Sequence, residues 1–188
     1  MNRNRRFALT VLGAGAAVLL LGYAGYAAGL RVNGTESLPP GVWRVVGAPG
    51  VATRGQVVNF CPPDIPAVRA GRDRNYLHGG MCPGDYETLF KPIVAVAGDA
   101  VEVAADGIRV NGHLVANSAP VAVDGAGQPM PVMPFRTSIV QPGQAWVVSS
   151  YTPWSFDSRY FGPIAVASIR GEARPIWTRG TYGERRDD

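Results

Sequence analysis

The hydrophobic pattern changes character once along the chain. Phe7–Leu30 is a run of 24 uncharged, mostly apolar residues, long enough as a helix to cross about 30 Å of hydrocarbon. It predicts a transmembrane segment over 7–30, with residues 1–6 on one side of the bilayer and a domain over 31–188 on the other. Beyond Leu30 the apolar positions fall into short runs separated by turn residues. Arg31–Gly41 is turn-rich and leads into the run Val42–Val46, and Arg54–Phe60 reads as a strand entered from a turn. Pro62–Gly84 reads as a long irregular loop. Leu89–Ala97 is apolar apart from Lys91 and stops at Gly98-Asp99, the pattern of a buried strand closed by a turn. Val101–Val103, Ile108–Val110 and His113–Val115, separated by Asp106-Gly107 and Asn111-Gly112, predict a β-meander with tight hairpins. Pro120–Pro134 reads as a loop, and Gln144–Ser150 and Ile164–Ile169 as further strands. The domain is therefore all-β or β-rich.

Composition supports that class, because 24 glycines and 16 prolines suit short strands joined by many turns. Charge sets an orientation. Arg3, Arg5 and Arg6 precede the apolar run, which by the positive-inside rule keeps residues 1–6 cytoplasmic and sends 31–188 to the periplasm. A cleaved secretory signal has the same layout, with Ala24, Ala27 and Ala28 as small residues at a cleavage site; the length of the run favours an anchor. The net charge of +4 does not point to nucleic acid, since no basic run is interleaved with aromatics and Arg185-Arg186 is balanced by Asp187-Asp188. Cys61 and Cys82 suit a disulfide in an oxidising compartment, worth on the order of 3 kcal/mol by loop entropy. A cysteine nucleophile paired with His78 would need a free thiolate, which that compartment disfavours. Two cysteines and two histidines without metal-type spacing predict no metal, and no cofactor motif is present.

The chain uses 17 arginines and one lysine. That lysine, Lys91, lies inside the apolar run. Arginine cannot lose its proton near neutral pH, whereas burial disfavours the charged form of an amine and lowers its pKa. A neutral lysine suits a general base that takes a proton from a hydroxyl nucleophile; a lysine that snorkels its ammonium out of the strand is the structural alternative. Ser37 is the serine that stands out by context, between Gly34 and Pro39-Pro40-Gly41, where a tight turn exposes a hydroxyl. Turn serines are also commonly structural.

Four segments in order, Asn33–Trp43 with its Ser-Leu-Pro-Pro-Gly core, Arg54–Phe60, Lys91–Asp99 and Ser155–Gly162, resemble the type I signal peptidase family. The Ser-Leu-Pro-x-Gly-x-Trp form is similar to its conjugative-transfer, TraF-like pilin-processing branch. The resemblance implies an antiparallel, mainly β catalytic domain on one N-terminal transmembrane helix. It implies Ser37 as nucleophile, Lys91 as general base and Asp157 as an aspartate needed for activity. Thr35 would join the oxyanion hole, Ser155 would orient the lysine amine, and Arg159 would pair with Asp157. Gly98 and Asp99 would shape a turn beside the site. Leu38 and Gln56 depart from the leader-peptidase pattern, where a methionine and an acidic residue are usual.

The function implied is a serine endopeptidase of the bacterial inner membrane, its site in the periplasm at the bilayer surface. Its partners would be the lipid bilayer and a membrane-inserted pilin precursor, whose acyl-enzyme is resolved by water or by the pilin's own amine. A general signal peptidase acting on preproteins, and a non-catalytic periplasmic component of a transfer apparatus, are the rival readings.

Overall fold

The computed structural model describes residues 3–48 and 50–180. The charge balance at Arg185–Asp188 and the first two of residues 1–6 lie outside the described residues.

Helix α1 (Arg3–Ala27) contains the predicted apolar segment but not all of it. It begins among the arginines and ends three residues before Leu30, because Gly29 adopts φ +85°, where a Cβ would stand 2.2 Å from the Val45 carbonyl oxygen. Leu30 instead starts strand β1 (Leu30–Asn33) and pairs with Arg44. Twenty-five residues at 1.5 Å rise span about 37 Å, and no residue of α1 is buried by protein. Among the described residues it is the one helix long and apolar enough to cross a membrane. The long helix therefore gives way to the β domain at Gly29.

The rest is mainly antiparallel β, as expected. The strands are β2 (Gly41–Val46), β3 (Val57–Phe60), β4 (Gly79–Cys82), β5 (Leu89–Val96), β6 (Ala100–Ala104), β7 (Gly107–Val110), β8 (His113–Leu114), β9 (Thr137–Ile139), β10 (Gln144–Val147), β11 (Ile164–Ala165) and β12 (Ile169–Thr178). Seven form one sheet in the order β1-β2-β12-β3-β5-β10-β11, and four form a second, β8-β7-β6-β9. The second sheet is the predicted meander with β9 added. Its β7–β8 hairpin turns at Asn111-Gly112, as the sequence indicates.

Two elements differ from expectation. Pro62–Gly84 is not irregular throughout: it holds the helix α2 (Pro66–Asp73), started by Pro66 at the first helical position. Cys61 and Cys82 are joined with 5.4 Å between Cα atoms, closing this segment. The segment Ile164–Ile169 breaks after Ala165 into a single 3-10 turn, and β12, at ten residues the longest strand, begins where a strand was expected to end.

Three apolar cores fix the site. The main core packs Val58, Phe60, Ile93, Val147, Phe156 and Phe161 under the large sheet. A second core, with Val101, Ile108 and Trp146, joins the two sheets. A third, small one holds Leu38, Trp43, Val57 and Ala173. Asp99 sits where β5 turns into β6. It accepts from Val96 N–H (2.8 Å), Asn111 Nδ2 (3.0 Å) and Arg54 Nε (2.8 Å). Burial alone would raise its pKa, but these donors outweigh burial and hold the carboxyl below its usual range. Gly98 and Asp99 thus shape the turn that ends the Lys91 strand.

Candidate active site

Ser37 lies in the turn between β1 and β2, and that turn is built around one side chain. Asn33 is buried; its Nδ2 donates to the carbonyls of Thr35 (3.1 Å), Leu38 (3.0 Å) and Pro39 (3.3 Å). Its Oδ1 accepts from Thr35 N–H (3.2 Å) and Thr35 Oγ1 (2.8 Å). A short polar side chain that satisfies the backbone around it replaces the sheet hydrogen bonds that a turn lacks. Leu38 is wholly buried beside Trp43, worth roughly 2 kcal/mol of burial, and Trp43 Nε1 donates to the Pro39 carbonyl at 3.2 Å. Gly41 closes the turn with φ +152°, where a Cβ would meet the Trp177 carbonyl oxygen at 2.1 Å. With Asn33 and Leu38 pinned inward, half-buried Ser37 borders the cavity.

Sequence reasoning passed over Asn33, although a buried asparagine opening a Gly/Pro-rich turn is a usable signal. Asn33→Ala is expected to cost about 2 kcal/mol, since the amide leaves buried carbonyls unpaired. Denaturant unfolding of the full-length chain in detergent micelles checks it.

Lys91 is the third residue of β5. Strand alternation points it to the same face as Leu89 and Ile93, into the main core, and only 4% of it is exposed. Its amine is neither snorkelled into bulk water nor ion-paired. Burial lowers its pKa from 10.5 to about 8; Asp157 and Glu87 oppose the shift, and Arg159 adds to it.

Ser37, Thr35 and Lys91 line one cavity of about 460 Å³. Tyr76, Phe90, Trp154, Phe156 and Tyr160 form its aromatic walls, and Glu36, Glu87 and Asp124 also border it. The segment closed by the disulfide supplies Tyr76, whose hydroxyl bonds the Asp124 carboxylate; Arg74 beside it donates to the Pro129 carbonyl at 2.7 Å. These contacts seat the 120–134 loop against the cavity. In this arrangement Ser37 and Lys91 are not hydrogen-bonded to each other. Catalytic contacts commonly tighten only when substrate is bound.

The remaining predicted residues stand behind the cavity wall. Asp157 caps α3 (Ser158–Phe161), accepting from Arg159 N–H at 3.2 Å. Arg159 grips the same carboxylate through Nε (2.8 Å) and Nη2 (2.9 Å), and both residues are fully buried. The guanidinium also donates to the carbonyls of Asn117, Pro153 and Ser155 at 3.1, 3.0 and 2.8 Å. The expected ion pair is therefore present as a clamp that ties together three backbone segments. Ser155 is buried between the cavity-lining Trp154 and Phe156, and its hydroxyl has no hydrogen-bond partner. The expected bond from Ser155 to the Lys91 amine is not formed. Thr35 spends its one hydroxyl proton on Asn33, so donation to an oxyanion requires the hydroxyl to release Asn33 and turn. Among the described residues no cluster of acidic, histidine or cysteine side chains has a metal-binding arrangement.

Comparison with known proteins bears on what this arrangement is. The family described as "Signal peptidase, peptidase S26" matches residues 4–178. The chain belongs to that family. A plasmid transfer protein TraF from Escherichia coli is 41% identical over 174 residues, 93% of this chain and 97% of the relative. A second Escherichia coli protein of that name is 37% identical over 178 residues, covering 95% and 99%. A probable conjugal transfer protein TraF from Sinorhizobium fredii is 42% identical over 155 residues, covering 82% and 80%. Among solved structures, a signal peptidase I from Enterococcus faecalis is similar over 65% of this chain and 96% of its own, at 20% identity and a TM-score of 0.37.

Proposed function

We propose that this chain is a membrane-anchored serine endopeptidase in which Ser37 is the nucleophile and Lys91, as a free amine, its general base. The observation that carries the reading is a single buried lysine, its pKa lowered by burial to about 8, lining the same cavity as a serine held in a pinned turn. Family membership agrees with it.

In the first half-reaction Lys91 Nζ takes the Ser37 hydroxyl proton as Oγ attacks the scissile carbonyl carbon. The Ser37 N–H and a rotated Thr35 hydroxyl would face the oxyanion. Collapse breaks the carbon–nitrogen bond, and the lysine ammonium gives its proton to the departing amine. The Ser37 ester then reacts with water or with a substrate amine, which yields its proton to Lys91 and then to Ser37 Oγ. The products are a free carboxylate in the first case and a new amide in the second.

Asp157 has both oxygens committed to Arg159 and Ser149, so its part is to hold the site and bias the lysine by charge rather than to move protons. The orphaned hydroxyl of Ser155 is a buried, unspent group left available for orienting that amine.

The arginines before α1 favour a cytoplasmic N-terminus, and the disulfide favours an oxidising periplasm for the domain. The names of the relatives point to conjugative transfer, and the resemblance of the Ser-Leu-Pro-x-Gly-x-Trp segment implies a membrane-inserted pilin precursor as the substrate to test.

Co-expression of the full-length chain with such a precursor, read by intact mass, tests the proposal. The parent should release a shortened product, lighter by one further water if an amine resolves the ester, and Ser37→Ala should leave the precursor whole. Processing by Ser37→Ala at the parent's level would exclude the dyad. Cleavage of an ordinary signal-bearing preprotein but not of the pilin precursor would make the chain a general signal peptidase.

A further inference from the structure

Ser149 follows β10 and is completely buried. Its hydroxyl donates to the Ser37 carbonyl at 2.6 Å, across 112 residues of sequence. The same oxygen accepts from Tyr151 N–H at 3.1 Å, which orients the rotor. The Ser149 N–H donates to Asp157 Oδ2 at 3.0 Å. A serine hydroxyl has one proton, and here it goes to the nucleophile's own peptide group. Among the described residues, this is the hydrogen-bonded path that joins the Asp157–Arg159 clamp to the Ser37 turn.

The turn is held elsewhere by Asn33 on the Thr35, Leu38 and Pro39 carbonyls, by Trp43 Nε1 on the Pro39 carbonyl and by the burial of Leu38. None of these contacts touches the Ser37 carbonyl. If Ser149 released it, the Ser37–Leu38 peptide plane would be free to rotate and the Cα–Cβ bond of Ser37 would swing with it. A displacement of about 1 Å at a reacting atom can cost on the order of a hundredfold in rate.

We propose that Ser149 is the positioning residue of the nucleophile: it locks the Ser37–Leu38 peptide so that Oγ faces the cavity, and it transmits the anchoring of Asp157 to that peptide. The proposal rests on the reading of Ser37 as nucleophile. It gives a route by which a carboxylate outside the cavity, saturated by an arginine, would act on reactivity within it.

The test uses the full-length chain in detergent micelles and an N-acetyl-alanine p-nitrophenyl ester as acylating probe, with nitrophenolate release followed from pH 6 to 9. Ser37→Ala and Lys91→Arg establish the dyad independently and should not acylate. Ser149→Ala should acylate at least tenfold more slowly at saturating ester, with KM unchanged, the pH midpoint still near 8 and thermal unfolding within a few degrees of the parent. Adding Asp157→Asn to Ser149→Ala should slow acylation less than Asp157→Asn does alone, because the two lie on one path. Acylation by Ser149→Ala within twofold of the parent while Ser37→Ala is inert, or simple multiplication of the two losses, would overturn the positioning role and leave the dyad standing. Parent-level acylation by both Ser37→Ala and Lys91→Arg would instead remove the dyad, and the positioning role with it.

Discussion

Lys91→Arg should abolish peptide cleavage, lowering kcat/KM by about a thousandfold or more while leaving the chain folded. The variant keeps a positive charge and much of the volume but cannot supply a free amine at any working pH. The parent's pH–rate profile should share this origin. With the amine titrating at about 8, about one molecule in ten carries it neutral at pH 7. Activity should therefore rise about tenfold per pH unit below 8 and level off above it. A profile flat from pH 6 to 9 would remove Lys91 from the role of base.

The same burial carries a stability consequence of opposite sense. Lys91 titrates near 10.5 when unfolded and near 8 when folded, so between those values the unfolded chain binds the extra proton. The cost of enclosing the ammonium is fully present below about pH 8 and is relieved as pH rises toward 10.5. Lys91→Met should thus stabilise the inactive protein by about 3 kcal/mol at pH 7 and by much less at pH 10. Denaturant unfolding of parent and variant at the two pH values measures the difference.

The second large effect should come from Arg159→Met, a loss of about 3–5 kcal/mol in the same unfolding measurement. The substitution strands the buried Asp157 carboxylate and strips donors from the carbonyls of Asn117, Pro153 and Ser155. Arg159→Lys should recover little, because an ammonium cannot reproduce the fork that grips the carboxylate and reaches the surrounding carbonyls together. An Asp157→Leu/Arg159→Met double variant should be more stable than Arg159→Met alone, since it removes the unpaired charge as well. Equal stability of the two would mean that the clamp is not the source of the loss.

The places where sequence reasoning fell short have physical causes. Strand β12 alternates buried Ile169, Gly171 and Ala173 with outward Arg170, Glu172 and Arg174. Two of its three inward positions, Gly171 and Ala173, are small and Pro175 follows, so the apolar signal of a strand is weak although the strand lies between β2 and β3 in the large sheet. The Ile169 and Gly171 registers are offset by a bulge against β3, a feature set by the neighbouring strands. Helix α2 is only eight residues long inside a segment dense in turn formers, and its place is secured by tertiary contacts and by the closure at Cys61–Cys82. The Asn-Gly hairpin and the apolar N-terminal helix were legible because each rests on local chemistry: a turn conformation in one case, the length and continuity of an apolar run in the other.

What the amino-acid order determined alone was therefore local or compositional: one long apolar helix, a β-rich domain, a lone lysine among aliphatic neighbours and a serine in a tight turn. Only the tertiary structure decided that the lysine faces inward with 4% of its surface exposed, that its strand and the serine's turn border one cavity, and that Asp157 serves a clamp behind the wall. Those outcomes depend on groups tens to more than a hundred residues apart meeting in low-dielectric surroundings. There desolvation sets the lysine's charge, and a hydrogen bond such as Ser149 to Ser37 has no signature in either local sequence.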